Sequence, residues 1–319
     1  MSGCTGPQSA LDPAGSSAAT IAEIFWVMLT GAAVIWVIVL GAIVFGARLQ
    51  KRPISDRTGV RLILWAGAVF PTLVLTALLI YGLRLMPTLR PAEADFRIHI
   101  VGEQFWWRVT YHLPDRAPII SANEVRLPVG ASVAFTLDTA DVIHSFWIPA
   151  LGGKLDLIPG RTNRLVLDAI KVGIYRGVCA EFCGESHSFM GFAVHVMEPD
   201  AFARWVEREA SVVDDQASQV ASETDQADVA RGRDAFLANG CGGCHTVRGT
   251  PAAGEIGPDL THVAGRSTLG AHVLTNTPEN RALFIADVER VKPGARMPSY
   301  GALPPDELAA ITAYLGSLK

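Results

Sequence analysis

Two long stretches without a charged residue restrict the fold of this chain more than any other feature. They cover residues 24–47 and 62–83. A helix needs about 20 apolar residues to cross the hydrocarbon core of a bilayer, and both stretches are long enough. Buried helices of soluble proteins seldom have uncharged stretches of this length. The sequence therefore predicts a two-helix transmembrane hairpin at residues 21–90, with helices at about 24–47 and 62–84.

Composition and charge support a membrane protein. Half of the residues (50%) are hydrophobic, the mean hydropathy is +0.29, and the net charge of −4 gives no support for nucleic-acid binding. Between the two stretches lies one acidic residue, Asp56, among several basic ones: Arg48, Lys51, Arg52, Arg57 and Arg61. Loops rich in lysine and arginine face the cytoplasm, so both termini are predicted to lie on the opposite side.

The first 20 residues form a small, polar N-terminal tail without the charged start and apolar centre of a signal peptide. Ser2, Gly3 and Cys4 resemble the cleavage end of a bacterial lipoprotein signal. One hypothesis is that Cys4 is a lipidated mature terminus and that a leader is missing. The alternative is a disordered tail with an unmodified cysteine.

Short alternating segments replace the apolar stretches from about residue 95. Examples are F-R-I-H-I-V, A-S-V-A-F-T-L-D and G-F-A-V-H-V, separated by turns such as I-P-G-R. Many short strands with Gly/Pro turns predict a β-sandwich or barrel, here at residues 95–205. His99, His112 and His195 alternate along these strands without a partner motif and are predicted to be ordinary barrel residues. A polar, acidic linker is predicted at 206–226.

Soft metal ligands are concentrated in the sequence C-A-E-F-C-G-E-S-H-S-F-M, which contains Cys179, Cys183, His187 and Met190. Thiolate, thioether and imidazole together favour copper over magnesium or calcium, and a methionine argues against zinc. By itself the C-x3-C pair could also be a redox disulfide or two inert core thiols. His144, in D-V-I-H-S-F-W-I-P, lies on a predicted strand that could bring a second imidazole to this loop.

Residues 141–164 together with this cysteine loop strongly resemble subunit II of the haem–copper cytochrome c oxidases. The resemblance implies a cupredoxin-type Greek-key barrel holding the dinuclear copper centre CuA. It assigns six copper ligands, of which Glu181 acts through its backbone carbonyl: His144, Cys179, Glu181, Cys183, His187 and Met190. The Glu181 side chain also matches the family's ligand to a magnesium ion at the boundary with subunit I.

Two departures from the resembling family concern electron and proton routes. Phe105, Trp106 and Trp107 match its aromatic cluster beside CuA, but the first position is usually tryptophan. This change argues against the usual route for a soluble donor and suits a chain that brings its own donor; the alternative is that the aromatics only pack. The second stretch begins G-V-R-L-I-L-W without the glutamate that the family often places at a proton-entry path.

A second cofactor motif, C-G-G-C-H, contains Cys241, Cys244 and His245. C-x-x-C-H is typical of c-type haem attachment, in which the histidine is the proximal iron ligand. A thioredoxin-like or zinc C-x-x-C has less support because no second cysteine pair and no βαβ pattern follow. Met297 in K-P-G-A-R-M-P-S-Y is the candidate sixth ligand, with His262 or His272 as alternatives. His/Met ligation leaves no open iron position and suits electron transfer.

Residues 227–319 resemble an all-α class I cytochrome c, including the G-P-D-L segment near the proximal histidine. The two resemblances together imply a multidomain membrane protein that passes electrons from a reductant through haem c to CuA and on to subunit I. Oxygen is reduced to water there, coupled to proton translocation. The implied partners are subunit I, subunit III, and cytochrome c or quinol:cytochrome c reductase as donor. The implied location is the bacterial cytoplasmic (inner) membrane, with the soluble domains and both termini on the periplasmic side.

Two alternatives from other functional classes remain at this point. A membrane-anchored CuA/haem c carrier could serve a different terminal reductase, such as one that reduces nitrous oxide. A quinol oxidase subunit would keep this fold without copper, but all six ligand positions are intact here. In each case the chain has no residues for the oxygen chemistry itself.

Overall fold

The computed structural model describes residues 4–49, 53–87, 93–213 and 223–319. The chain divides into two compact units, one formed by Ser17–Pro91 and the other by Met1–Ser16 with Ala92–Lys319. Lys51 and Arg52 of the basic loop lie outside the described residues, as does the central part of the predicted linker.

The smaller unit contains the two apolar helices. Helix α1 (Ser16–Val44) continues as a π-helical turn, and the second helix comprises α2 (Asp56–Leu62), a π-helical segment (Ile63–Val69) and α3 (Phe70–Leu85). The most apolar part of each span has a mean hydropathy of 2.6 or 2.2, and its side chains are not covered by protein. The prediction of two apolar helices is confirmed, and their exposed apolar side chains match a lipid surrounding.

Local chemistry accounts for two features of the second helix. The Ser55 hydroxyl accepts a hydrogen bond from the Thr58 backbone N–H at 3.3 Å and caps the start of α2. Pro71 lies in the first turn of α3, directly after the π-helical segment. Because proline has no N–H to donate, a wider turn before it adjusts the helix to the missing bond.

The β domain of the larger unit is built from two five-stranded sheets. One has the order β3-β2-β1-β5-β8 and the other β4-β10-β9-β6-β7; the pairs β1–β5 and β4–β10 are parallel and the rest antiparallel. The strands are β1 (Phe96–Glu103), β2 (Trp106–His112), β3 (Ile119–Ala122), β4 (Glu124–Pro128), β5 (Ser132–Thr139), β6 (His144–Trp147), β7 (Leu155–Leu157), β8 (Asn163–Asp168), β9 (Gly173–Cys179) and β10 (Gly191–Met197). The predicted cupredoxin-like β domain is confirmed.

Alternation along the strands directs large side chains into the space between the sheets. Trp107, Val109 and Tyr111 on β2 are buried, and the residues between them are partly exposed. Phe146 and Phe192 stack at 4.7 Å, and the Trp107 ring meets each of them edge-on. Trp107 is therefore a core residue that joins the two sheets.

Two of the three strand histidines that lacked a partner motif lie close to a carboxylate. His99 Nε2 lies 2.9 Å from Asp138, and His195 Nε2 lies 3.6 Å from Glu124. Burial lowers the pKa of His112 and of His195.

The chain before α1 packs against the β domain. Ala14 is fully buried, its N–H donates to the Ala150 carbonyl, and its own carbonyl accepts from the Ile170 N–H, both at 2.7 Å. Gly15 follows, and a Cβ there would lie 2.5 Å from the Leu151 carbonyl oxygen. The expectation of a disordered tail is wrong for this part, because its small residues allow close backbone pairing. Cys4 is exposed.

Helix α4 (Pro199–Ala210) packs on the β domain through Phe202, Trp205 and Val206. The helical domain that follows has a separate core built around Phe236, Ile311 and Tyr314. Its elements are α5 (Glu223–Ala238), α6 (Pro278–Ala286), α7 (Val288–Val291), α8 (Pro305–Ser317) and a short hairpin of β11 (Thr268–Leu269) and β12 (Leu274–Thr275). The predicted helical C-terminal domain is confirmed.

The crossing of α5 and α8 depends on a glycine. A Cβ on Gly232 would lie 1.9 Å from the Ala310 carbonyl oxygen, a contact that the backbone cannot accommodate without moving. We expect Gly232→Ala to destabilise the helical domain by about 1–3 kcal/mol, since overpacking forces the helices apart. A urea titration followed by far-ultraviolet circular dichroism measures this change.

Gly265→Ala is the matched control, because a Cβ at Gly265 has no neighbour within 4 Å. Equal stability of the two variants would contradict the close helix crossing.

Candidate metal centre and haem cavity

Six predicted copper-ligand groups lie together at one end of the second sheet. Cys179 ends β9, His144 begins β6, and Met190 lies directly before β10. Cys179 Sγ lies 3.8 Å from His144 Nδ1, 3.9 Å from Cys183 Sγ and 3.2 Å from the Glu181 carbonyl oxygen. Cys183 Sγ lies 3.5 Å from His187 Nδ1 and 3.8 Å from Met190 Sδ. The loop thus directs all six donor atoms toward one small volume.

The orientation of His144 is fixed by a residue that the sequence reasoning missed. Asp141 accepts a hydrogen bond from His144 Nε2 at 2.8 Å, which turns Nδ1 toward Cys179. A carboxylate behind a metal-binding histidine sets its tautomer and makes it a better ligand. The D-x-x-H spacing was the available signal. Gly102 lies against the ring, and a Cβ there would be 2.7 Å from it.

The electrostatics of the cysteine pair suit a cation. The hydrogen bond from Cys183 lowers the pKa of Cys179 to about 4, while the same contact raises the pKa of Cys183. Burial by itself would lower the pKa of His144, but hydrogen bonds to Cys179 and Asp141 raise it overall. One thiolate forms readily, and a second beside it requires positive charge. A bound metal ion supplies such charge. The thiolate is also the form of cysteine that ligates metals.

This donor set fits copper. Both cysteines are free thiols, so the structure contains no disulfide in this loop. His144, Cys179 and Cys183 form a buried group whose ligand atoms all lie within 4.8 Å of one another. Sulfur and imidazole donors, including the thioether of Met190, match the preferences of copper. Among the described residues, the Glu181 side chain belongs to no group of possible metal ligands.

The C-x-x-C-H motif opens onto an apolar cavity in the helical domain. Cys241, Cys244, His245 and Met297 all line this cavity, whose volume is about 1470 Å³ with its open mouth included. His245 Nδ1 donates to the Pro258 carbonyl at 2.8 Å, which leaves Nε2 free to bind a metal. Burial lowers the pKa of His245 and so favours the neutral, ligating imidazole.

Other features of the cavity fit a haem. Gly257 lies beside the proximal histidine, and a Cβ there would be 2.5 Å from the imidazole ring. Arg266 and Arg281 also line the cavity. The Nε atoms of both are buried and have no hydrogen-bond partner within the described parts of the chain. Buried cationic donors of this kind could bind the two carboxylates of a haem.

The two alternative axial histidines lie elsewhere. His262 Nδ1 donates to the Lys319 carbonyl at 2.8 Å, and its Nε2 lies 3.1 Å from the Ser211 carbonyl. His272 lies beside the β domain, where a Cβ added to Gly191 would be 3.3 Å from the His272 Cβ. Neither histidine is among the residues that line the cavity. The geometry thus favours Met297 over both histidines as the partner of His245.

The β domain supplies part of the cavity wall. Gln104, Phe105 and Trp106 line it together with residues of the helical domain. Gln104 Nε2 also donates to the Cys183 carbonyl at 2.5 Å, so one side chain contacts both the cavity and the copper loop. Gln104 directly precedes the aromatic cluster in the sequence, but no motif assigns it a role. A contact between residues that are far apart in the chain leaves no pattern in the neighbouring sequence.

Phe105 lies between the copper loop and the helical domain. It is only 5% exposed. A Cβ on Gly184 of the copper loop would lie 3.1 Å from its ring, and one on Gly294 of the helical domain would lie 3.6 Å away. The helical domain therefore covers the aromatic residue that the resemblance assigns to a soluble donor.

Hydrogen bonds also join the two domains away from the cavity. The buried Glu124 carboxylate accepts from the backbone N–H and the hydroxyl of Ser267, both at 2.6 Å. Glu124 also pairs with Arg126 at 3.0 Å, and Arg126 donates to the Gly265 carbonyl at 3.1 Å. The position of the helical domain is thus fixed by buried polar contacts as well as by apolar packing.

A β domain with clustered candidate copper ligands, joined to a helical domain with a haem motif, is typical of membrane-bound electron-transfer proteins. Residues 117–197 match the family "Cytochrome C oxidase subunit II, periplasmic domain", and residues 229–319 match "Cytochrome c". The chain is 32% identical to cytochrome c oxidase subunit 2 of Alkalihalophilus pseudofirmus over 342 residues, which cover 100% of this chain and 94% of that protein. It belongs to the cytochrome c oxidase subunit II family and carries a C-terminal cytochrome c domain.

Two further relatives are similar to this chain. Cytochrome c oxidase subunit 2 of Bacillus subtilis is 31% identical over 347 residues, which cover 100% of this chain and 94% of that protein. The periplasmic domain of subunit II of cytochrome oxidase from Bradyrhizobium japonicum is 37% identical, with a TM-score of 0.34, and covers 36% of this chain and 93% of that one. The two matched domains imply CuA copper and haem c, and membership of an oxidoreductase complex implies subunit I as a partner.

Asp141 provides a test of the copper site. We expect Asp141→Ala to weaken copper binding about 10–100-fold, because His144 loses the group that orients it. Competition with a copper chelator measures the affinity.

Asp138→Ala is the control, since Asp138 makes a similar contact to His99, a residue outside the site. An Asp141→Ala affinity equal to that of the control would contradict the orienting role.

Proposed function

We propose that this chain is the subunit at which electrons enter a respiratory cytochrome c oxidase. Electrons would pass from a reductant through the fused haem c to CuA and on to subunit I, where oxygen is reduced to water coupled to proton translocation. Support comes from the presence of both cofactor domains in one chain and from its full-length similarity to oxidase subunits.

Each centre has its own set of residues in this proposal. Copper would be held by the thiolates of Cys179 and Cys183, the imidazoles of His144 and His187, the Met190 thioether and the Glu181 carbonyl. Cys241 and Cys244 would attach the haem, and His245 and Met297 would ligate its iron. When bound, both groups accept and release single electrons without opening a substrate site.

The observation that carries the proposal is the wall shared by the haem cavity and the copper loop. Gln104 lies on that wall and donates its amide hydrogen to the carbonyl of Cys183. Trp106 lies beside it on the wall, and the Arg108 guanidinium lies 4.8 Å from the centre of the Trp106 ring. Residues of the β domain therefore lie between the haem cavity and the copper loop and contact both.

The burial of Phe105 bears on the electron donor. A soluble donor cannot reach this ring, because the helical domain covers it. We infer that the external donor, cytochrome c or a quinol:cytochrome c reductase, delivers electrons to the cytochrome domain. Tethering then replaces a diffusing donor with one at an effective concentration in the millimolar range.

The finer assignments of location and partners belong to the same proposal. The soluble domains and both termini would lie on the periplasmic side of the bacterial cytoplasmic membrane, as the basic loop between the helices indicates. Subunit III is proposed as a second partner in the complex. A magnesium ion held through Glu181 and a lipid on Cys4 stay predictions. Magnesium analysis of the purified complex and mass spectrometry of the native N-terminus would test them.

Co-purification distinguishes the proposed oxidase subunit from the alternative, a membrane-anchored carrier that serves another reductase. We expect the full-length chain to purify from membranes with a large multi-span haem protein and to support oxygen consumption. Isolation of the chain with copper and haem c but without such a partner would favour the carrier.

Trp106 tests the route between the centres. We expect Trp106→Ala to slow electron transfer from haem c to CuA about tenfold in the intact complex, which corresponds to about 1.4 kcal/mol in activation free energy. The physical reason is that a ring in the shared wall is replaced by a gap. Transient absorption after rapid reduction of the haem measures the rate.

Trp106→Phe keeps an aromatic ring at the same place and should stay close to the wild-type rate. An unchanged rate in Trp106→Ala would remove this residue from the route.

A further inference from the structure

A lysine is buried where the copper loop meets the cytochrome domain. Lys292 directly follows α7 and is 3% exposed. Its Nζ donates to the Phe189 carbonyl at 3.0 Å and to the Gly270 carbonyl at 2.6 Å. Phe189 is part of the copper loop, directly before Met190, whereas Gly270 belongs to the cytochrome domain. One amine therefore joins the two domains, and its side chain also lines the haem cavity.

Among the described residues, the amine of Lys292 is stabilised by carbonyl oxygens and not by a salt bridge. No carboxylate of the described residues lies within 4.0 Å of Lys292 Nζ. Burial lowers the pKa of Lys292 to about 7, although the Coulomb interaction with Cys183 acts in the opposite direction. Two carbonyl acceptors also favour the ammonium form over the neutral amine. The amine is thus held by two carbonyl oxygens, one of which belongs to the copper loop.

A second contact connects the same two loops. Ser186 of the copper loop donates from its hydroxyl to the carbonyl of Pro293, the residue after Lys292, at 2.6 Å. This bond carries no charge. The Ser186 contact therefore connects the two loops without charge. The Lys292 contact connects them and also brings a positive charge close to the candidate copper ligands.

We propose that Lys292 is a positioning residue for electron transfer between the two centres of this chain. It holds the Phe189 segment of the copper loop against the cytochrome domain, and its ammonium favours the reduced state of the copper centre. A positive charge stabilises a nearby group more strongly when that group carries an additional electron, especially where water is excluded. The inference rests on the proposed function and adds a residue that the ligand motifs do not contain.

The test uses Lys292→Met in the complete oxidase, with haem and copper content determined first. We expect the midpoint potential of CuA to fall, because the positive charge is lost. Electron transfer from haem c to CuA should slow about tenfold, as the charge-assisted bonds between the loops are lost as well. Redox titration followed by the optical spectrum gives the potential, and transient absorption gives the rate.

Two control variants give the experiment its specificity. Ser186→Ala removes the uncharged bond between the same loops and should leave the CuA potential unchanged. Lys171→Met removes an exposed lysine, paired with Asp12, and should change neither the potential nor the rate. A fall of the potential in Ser186→Ala as large as in Lys292→Met would overturn the role of the charge.

The remaining outcomes also decide the matter. An unchanged potential and rate in Lys292→Met would overturn the proposal. If that variant loses its copper, the midpoint potential is measured in Lys292→Gln, which keeps N–H donors without the charge. An unchanged potential in Lys292→Gln would overturn the proposal. Loss of copper from both variants would make Lys292 a structural residue and overturn it too. Absence of transfer from haem c to CuA in the wild-type complex would instead refute the proposed function.

Discussion

The pairing of β6 with β9 is the constraint on which the candidate copper site depends. Its register sets Phe146 opposite Cys179 and Trp147 opposite Val178, and so places His144 beside the thiols at the end of the sheet. A shift of one residue would turn the histidine to the other face. The stacked rings of Phe146 and Phe192 oppose such a shift, because they fill the space between the sheets. Aromatic packing in the core thus fixes the positions of the candidate ligands, most of which are themselves buried at the end of the sheet.

The same β domain also forms part of the wall of the haem cavity, so the two candidate cofactor sites share residues. Gln104 and Trp106 belong to the β domain but line a cavity whose cysteines and histidine belong to the helical domain. Buried polar contacts such as Glu124 with Ser267 fix this arrangement. Because each buried bond is lost when the domains separate, the proposed electron transfer would start from a docked cytochrome domain. Burial of Phe105 follows directly from that docking.

The sequence predicts what is local and misses what is made by distant contacts. The apolar helices, the β domain and the helical domain could be predicted because hydrophobic periodicity and turn residues act over short distances. The ligand motifs were also readable, since Cys179, Cys183, His187 and Met190 lie within one loop, although their roles stay predictions. Asp141, Gln104 and Lys292 could not be assigned, because each acts through strand register or through the docking of two domains. The packing of Ala14 on the β domain was missed for the same reason.

In the proposed function, one chain holds a haem and a copper centre in a fixed arrangement for direct electron transfer. The most direct measurement is the rate of haem-to-copper transfer in the intact complex at several protein concentrations and solvent viscosities. A docked donor predicts a single first-order rate that depends on neither. A rate that falls as viscosity rises would indicate a cytochrome domain that moves before each transfer. Absence of electron transfer between the two centres would contradict the proposed function.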